Sequence, residues 1–247
     1  MPFTPAHAAA AWPIWKAWPS LPLSALIIGT LSPDFEYFLR LAPISRWAHT
    51  PAGLVLFCLP VSIVVWFVFR RLIRPALLDL LPRGLASALG SPATSWTRAI
   101  VAVMLGALTH VAWDGFTHQN DWAVRAWPFL QTMVSPQFLP GLRWYKLLQH
   151  VSTAAGLLTI AAWIVAWGRS QPASARHWAP GQLARVSRAA SLLVILTATA
   201  AFLNATQATT WTMQLSRFAV GGMIGCAVAL LLLGLGYIAT RRVRESD

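Results

Sequence analysis

The sequence predicts an all-α, polytopic membrane bundle of about five spans, preceded by a short N-terminal re-entrant or interfacial segment. Three observations predict it. Of 247 residues, 57% are hydrophobic and only 11% are charged, against about 45–50% and about 25% in ordinary water-soluble domains. Five apolar runs approach the roughly 17–25 residues that a helix needs to cross a bilayer. Several of the 14 tryptophans stand near the ends of those runs, at Trp47, Trp113, Trp144, Trp167 and Trp211, where aromatic side chains favour the membrane interface. A disordered chain and a water-soluble domain are both excluded on these grounds.

The N-terminus, MPFTPAHAAAAWPIWK, lacks the basic region and continuous apolar run of a signal peptide, so these residues are expected to stay in the mature protein. Leu21 to Leu31 is an apolar run of about eleven residues flanked by prolines. It is open to three readings: re-entrant, interfacial, or part of a sixth helix. Spans are expected near 52–69, 99–113, 150–167, 189–206 and 218–239. The second of these runs directly into the polar sequence DGFTHQND, which gives it a functional-looking end. Residues 170–188 read as a polar connection, and no internal repeat, low-complexity tract or strand-forming pattern is evident. The whole of 1–247 is expected to be a single integral membrane domain.

The net charge of +12 would suggest a nucleic-acid partner in a soluble protein. Its distribution points elsewhere. The arginines cluster beside apolar runs, as in Arg70-Arg71 and Arg241-Arg242, the pattern of membrane topology. The connections 70–98, 168–188 and 241–247 hold twelve basic residues, and those at 1–51, 114–149 and 205–217 hold seven. The positive-inside rule puts the first set in the cytoplasm. No nucleic acid is expected, and the bilayer is the principal partner. Cys58 and Cys226 both lie in apolar runs, where a small buried hydrophobe is the default, so neither a disulfide framework nor a Cys-type zinc site is available.

Five of the six histidines (His7, His49, His110, His118 and His150) lie on or beside the connections assigned to the non-cytoplasmic side, with Asp34, Glu36, Asp114 and Asp121. In LTHVAWDGFTH, His110, Asp114 and His118 recur every fourth residue, at roughly 0°, 40° and 80° on one helix face. Imidazole and carboxylate in register suit zinc, manganese or iron. The outer two histidines are about 12 Å apart along an unbroken helix. His110 and Asp114 are therefore expected to share one ion, and His118 to serve a neighbouring one unless Gly115 breaks the helix. The bland alternative, a histidine bonding a neighbouring helix, stays open for any one of them.

Asp34 follows the Ser-Pro turn of LSPDFEYF, and Glu36 reads as a solvated or ligand-supporting group. His49 precedes Thr50-Pro51, an N-cap followed by proline at the first helical position. His150 opens the third span, and His7 follows the helix-start pair Thr4-Pro5. Asp121 reads as solvated or helix-terminal, and His177 is discounted as lying in a cytoplasmic connection. Arg40, Arg46 and Arg125 are candidate phosphate contacts, with interfacial snorkelling as their simpler role.

Together MPFTPAHAAAAWP, SPDFEYF, HTPAGL, LTHVAWDGFTH and LQHVS resemble the bacterial membrane family named domain of unknown function 4184, over roughly residues 1–165. The resemblance carries no established activity. In style the chain is also similar to membrane-bound metal-dependent hydrolases. Its order His7, Asp34, His49, His110, Asp114, His118, His150 is similar to the ligand order of the zinc-dependent phospholipase C and P1 nuclease families, which implies clustered zinc. Those families close one of three sites with the N-terminal amine and another with His-x3-Glu. Here residue 1 is Met and Ala154 follows His150 by four, so one or two ions are expected in place of three.

These residues predict a metal-site core over 1–165, two additional spans over 189–239, and a divalent ion, zinc by preference, on the non-cytoplasmic face of a multi-pass protein of the cytoplasmic membrane. The expected activity is hydrolysis of a phosphoester or other ester, including lipid, at the membrane surface. No catalytic side chain is assigned. The alternative is a non-enzymatic membrane protein with a structural metal clamp or an ion or proton pathway.

Overall fold

The computed structural model describes residues 3–89 and 95–246. In chain order the helices are α1 (Ala11–Ala17), α2 (Leu23–Leu31), α3 (Phe35–Arg40), α4 (Pro51–Leu80), α5 (Arg83–Ala88), α6 (Trp96–Thr117), α7 (Trp122–Ala126), α8 (Trp144–Ser170), α9 (Gln182–Ala205) and α10 (Trp211–Ser246). Short 3-10 turns at Thr4–Ala10 and Ser32–Asp34 precede α1 and α3. The fold is all-α. Five helices among the described residues are long and apolar enough to cross a membrane: α4, α6, α8, α9 and the Trp211–Arg241 part of α10. This is a multi-pass membrane protein, and exposed apolar side chains such as Leu56, Leu158 and Val194 are those a bilayer would cover.

At nine residues α2 rises only about 14 Å, less than half of a hydrocarbon core. Helix α4 stays continuous through two internal prolines because a π turn precedes each. Leu54–Cys58 contains the residue four before Pro60, and Phe69–Ile73 contains the residue four before Pro75. A proline ring clashes with the carbonyl four residues back, and widening that turn relieves the clash.

One element is absent from the sequence expectation. Met133–Ser135 and Leu139–Arg143 form a two-stranded antiparallel hairpin, β1 and β2, with a register shift between Met133 and Ser135. Strands of three and five residues, with Pro140 inside the second, are too short and too interrupted to show a period of two.

The chain divides into two compact units, described separately. The first comprises Met1–Phe35, Arg46–Ile63 and Thr94–Ala166. Its centre is the packing of α2 on α6. Helix α6 buries Ala99, Ala102, Val103, Gly106, Ala107, His110 and Asp114 along one stripe, and α2 answers with Ala25, Leu26, Gly29 and Thr30. The stripe is made of small residues, so the two backbones come close. A Cβ on Gly29 would strike the Val103 carbonyl, and one on Gly106 the Leu26 carbonyl. Close approach through small residues is the usual way membrane helices associate.

The second unit comprises Glu36–Ser45, Val64–Ala93 and Trp167–Asp247. Here α9 packs on α10 in the same manner, with Gly221 against the Ala200 carbonyl and Gly225 against that of Leu196. Asn204 Nδ2 donates to the Arg217 carbonyl at 2.8 Å. Buried Gln182 donates to the carbonyls of Asp79 and Leu81, satisfying the C-terminal end of α4.

Candidate metal centre

Four side chains from three segments of the first unit converge: Asp34, His49, and His110 with Asp114. Asp34 closes the 3-10 turn after α2 and is fully buried. Its Oδ2 accepts from Thr4 Oγ1 at 2.5 Å, leaving Oδ1 for the centre. His49 stands just before the cap of α4. Thr50 Oγ1 there accepts from Gly53 N at 3.0 Å and donates to the Trp47 carbonyl at 2.7 Å. The loop is held down by Ala48, which packs with Leu54, Phe57, Cys58 and Ala107. His110 and Asp114 lie one turn apart on α6, 0% and 2% exposed.

His110 Nδ1 lies 2.7 Å from the Thr30 carbonyl. A carbonyl only accepts, so Nδ1 carries the proton and the lone pair of the neutral ring is on Nε2, facing inward. Metal-ligating histidines are typically oriented by such a second bond. The small-residue contact of α2 and α6 is what brings Thr30 to His110.

Ligand spacing decides what the group can hold. Asp34 Oδ1 lies 3.6 Å from His49 Nε2 and 3.5 Å from His110 Nε2. Asp114 Oδ2 lies 3.5 Å from His49 Nε2 and 3.3 Å from His110 Nε2. These four separations, with all four ligand atoms within 4.8 Å of one another, leave a group that could hold one metal ion. Hydrogen bonding does not account for them. Among the described residues eight buried side-chain N or O atoms lack a hydrogen-bond partner, and five belong here: His7 Nε2, Asp34 Oδ1, His110 Nε2 and both oxygens of Asp114. Such a concentration of unsatisfied buried groups is costly without a cation to bind them.

His7 joins the centre from the Thr4–Ala10 turn. Its Nε2 is 3.4 Å from Asp114 Oδ1, and its ring stacks on that of His110 with centroids 3.8 Å apart and planes 15° apart. Burial and the neighbouring His110 press His7 below the ordinary histidine pKa, against the pull of Asp114 and Asp34, which favours the neutral ring that a metal requires. For Asp34, burial pushes the carboxyl up but His110 and His49 outweigh it, so it lies below the usual carboxylate value.

The remaining expected site residues fall elsewhere. Helix α6 does not break at Gly115, whose missing side chain makes room for the Trp122 indole. The helix ends at Thr117, and His118 turns extended as its cap. Its ring folds back, with Nδ1 3.0 Å from the Asp114 carbonyl and 3.7 Å from Asp114 Oδ2. His118 therefore borders Asp114 without entering the four-residue group, and burial lowers its pKa. Asp121 is helix-terminal, at the N-cap of α7.

His150 is exposed on α8, and no described hydrogen bond or ion pair ties its side chain to the centre, so the expectation that it joins the pocket is corrected. Position 150 faces away from the buried Tyr145–Gln149 side of its helix. Glu36 is buried but engaged: it pairs with Arg40 Nη2 at 2.7 Å and accepts from Ser45 Oγ at 3.0 Å, within the second unit. Arg46 and Arg125 are exposed. Sequence reasoning missed Thr4 as the support of Asp34, and the Thr30 carbonyl as the support of His110. Neither has a local signal, since the partners are 30 and 80 residues apart.

No curated protein and no solved structure matches the chain, so the likeness to phospholipase C and P1 nuclease rests on ligand order alone. One family profile does match, that of Domain of unknown function (DUF4184), over residues 1–235. It covers the candidate metal-site residues, the first four apolar helices and most of the fifth, and the chain belongs to that family.

Proposed function

We propose that this protein is a membrane-embedded, metal-dependent hydrolase acting on phosphoester or other ester bonds at the membrane surface. In this account it lies in the cytoplasmic membrane with the centre toward the non-cytoplasmic face, following the basic residues of 70–98 and 241–247. The observation that carries the proposal is the set of N···O separations of 3.3–3.6 Å among Asp34, His49, His110 and Asp114. The imidazole–carboxylate mixture and the close grouping of the four ligand atoms favour zinc.

Four protein ligands on one zinc are the pattern of a structural site, since catalytic zinc keeps a position open. A second ion supplies such positions. The His7 and His110 planes, 15° apart, meet only more than about 10 Å from the rings, whereas a metal–nitrogen bond is about 2.0–2.1 Å. The two lone pairs therefore cannot share an ion. His7 Nε2 and Asp114 Oδ1, 3.4 Å apart, would hold a second ion, which would supply a site for water and substrate. Bound metal lowers the pKa of water to about 7 and stabilises charge on a substrate oxygen. In ester hydrolysis the water oxygen bonds to phosphorus or carbon, the ester bond breaks, and one water proton ends on the leaving oxygen. His49, 23% exposed at its side chain, gives the centre an edge toward the surface.

A structural clamp is the second reading, favoured by the same four ligands drawn from three chain segments. Metal analysis of the purified protein, followed by turnover assays on phosphodiesters and phospholipids, separates the two. Turnover that requires the metal supports the hydrolase. A metal-loaded protein inert toward the panel supports the clamp.

A further inference from the structure

The connection between α6 and α8 exposes aromatic and aliphatic side chains where a water-facing loop would carry polar ones. Trp122, Trp127 and Phe129 are 50–60% exposed, and Phe138, at the tip of the β1–β2 hairpin, is 83% exposed. From Trp122 to Leu142 the only charged residue is Arg125, and Arg143 and Lys146 follow. A large exposed apolar patch flanked by basic residues marks an interaction surface.

Connectivity identifies what covers it. The chain leaves one span at Thr117 and enters the next at Trp144, so these residues are held at the bilayer surface at both ends. Trp, Phe and Arg suit the headgroup–acyl boundary: the rings bury in the upper acyl layer and the guanidinium meets lipid phosphate. The patch is also built onto the metal centre. Phe116, two residues beyond Asp114, packs on Trp122 at 5.3 Å and on Trp127 at 5.5 Å. The Trp122 indole fills the space over Gly115. Tyr145 Oη, at the start of α8, donates to Gln119 Oε1 at 3.5 Å.

We infer that α7 and the β1–β2 hairpin are a lipid-embedded platform inserted into the headgroup–acyl boundary of one leaflet, which presents phospholipid headgroups of that leaflet to the metal centre. The platform rests on the membrane alone. The substrate class, a phospholipid rather than a water-soluble ester, rests on the hydrolase proposed above.

The experiment has two arms. In the first, Phe138→Cys is labelled with an environment-sensitive maleimide in nanodiscs of phosphatidylcholine and phosphatidylglycerol. The wild type sets the background from buried Cys58 and from Cys226. Lipid-borne nitroxide near the glycerol level should remove roughly half of the fluorescence, and aqueous iodide almost none. Strong iodide quenching with no nitroxide effect would overturn the platform, whatever the enzyme does. In the second arm, the double variant Phe129→Ser and Phe138→Ser is compared with wild type on phospholipid in the bilayer and on a soluble phosphodiester. Lipid turnover should fall about tenfold with soluble turnover unchanged. Equal loss on both substrates would overturn presentation of lipid. Absence of turnover in the wild type would sink the hydrolase and with it the substrate class, while the first arm still decides the platform.

Discussion

The imidazole of His110 is held between two helices: its Nδ1 meets the Thr30 carbonyl on α2 at 2.7 Å, while its Nε2 faces Asp34 and Asp114. Packing thus sets ligand orientation. The glycines that let α2 and α6 approach are part of the metal centre although neither touches it. Gly106→Ala would place a Cβ against the Leu26 carbonyl and Thr30 N, and overpacking of this kind destabilises by about 1–3 kcal/mol. The expected outcome is a lower melting temperature in detergent together with weaker metal retention. A variant with wild-type melting and metal content would show that the close contact is not needed.

Thr4→Val removes the hydroxyl that bonds Asp34 Oδ2 and keeps the side chain's shape. Loss of such an outer partner typically costs about 10–100-fold in metal affinity. Chelator competition should show that drop, with the helical content of the protein unchanged. Affinity equal to wild type would mean that Asp34 is oriented by burial alone.

His7 and His150 separate what converges from what does not. His7→Ala should remove one ion and the activity while leaving the four-ligand ion and the fold in place, since only His7 Nε2 and Asp114 Oδ1 serve the second position. His150→Ala, at an exposed position, should change neither metal content nor activity. Full activity in His7→Ala would overturn the second, His7-held ion and leave catalysis to the four-ligand site.

Topology is checked by reporter fusions after Arg74 and after Arg244. Basic residues flanking spans resist translocation, so both should report the cytoplasm. A non-cytoplasmic signal from either would reverse the assigned sides.

Much of this was legible in the sequence because two strong periodic signals carry it. Bilayer thickness dictates long apolar runs, and those near 52–69, 99–113, 150–167, 189–206 and 218–239 all correspond to helices. The four-residue spacing of His110 and Asp114 puts them on one face of a single helix, and they do lie together. The same spacing kept His118 off the shared ion, and it lies at the edge of the group, its ring folded back onto the Asp114 carbonyl where the helix ends at Thr117. Proximity to a membrane boundary misled at His150, because boundary depth says nothing of which way a helix face points. Thr4 and Thr30 were invisible, since their partners are made neighbours only by tertiary packing.

The most direct test of the central claim is the metal content of purified wild type and Asp114→Ala, read with thermal stability. Asp114 offers Oδ2 to His49 and His110 and Oδ1 to His7, so its removal takes a ligand from both positions. The account predicts one or two divalent ions per wild-type chain, loss of bound metal in Asp114→Ala, and an inserted helical fold that persists because helices satisfy their own backbone bonds in lipid. Metal content unchanged by Asp114→Ala, or a wild type that binds no divalent ion, would contradict it.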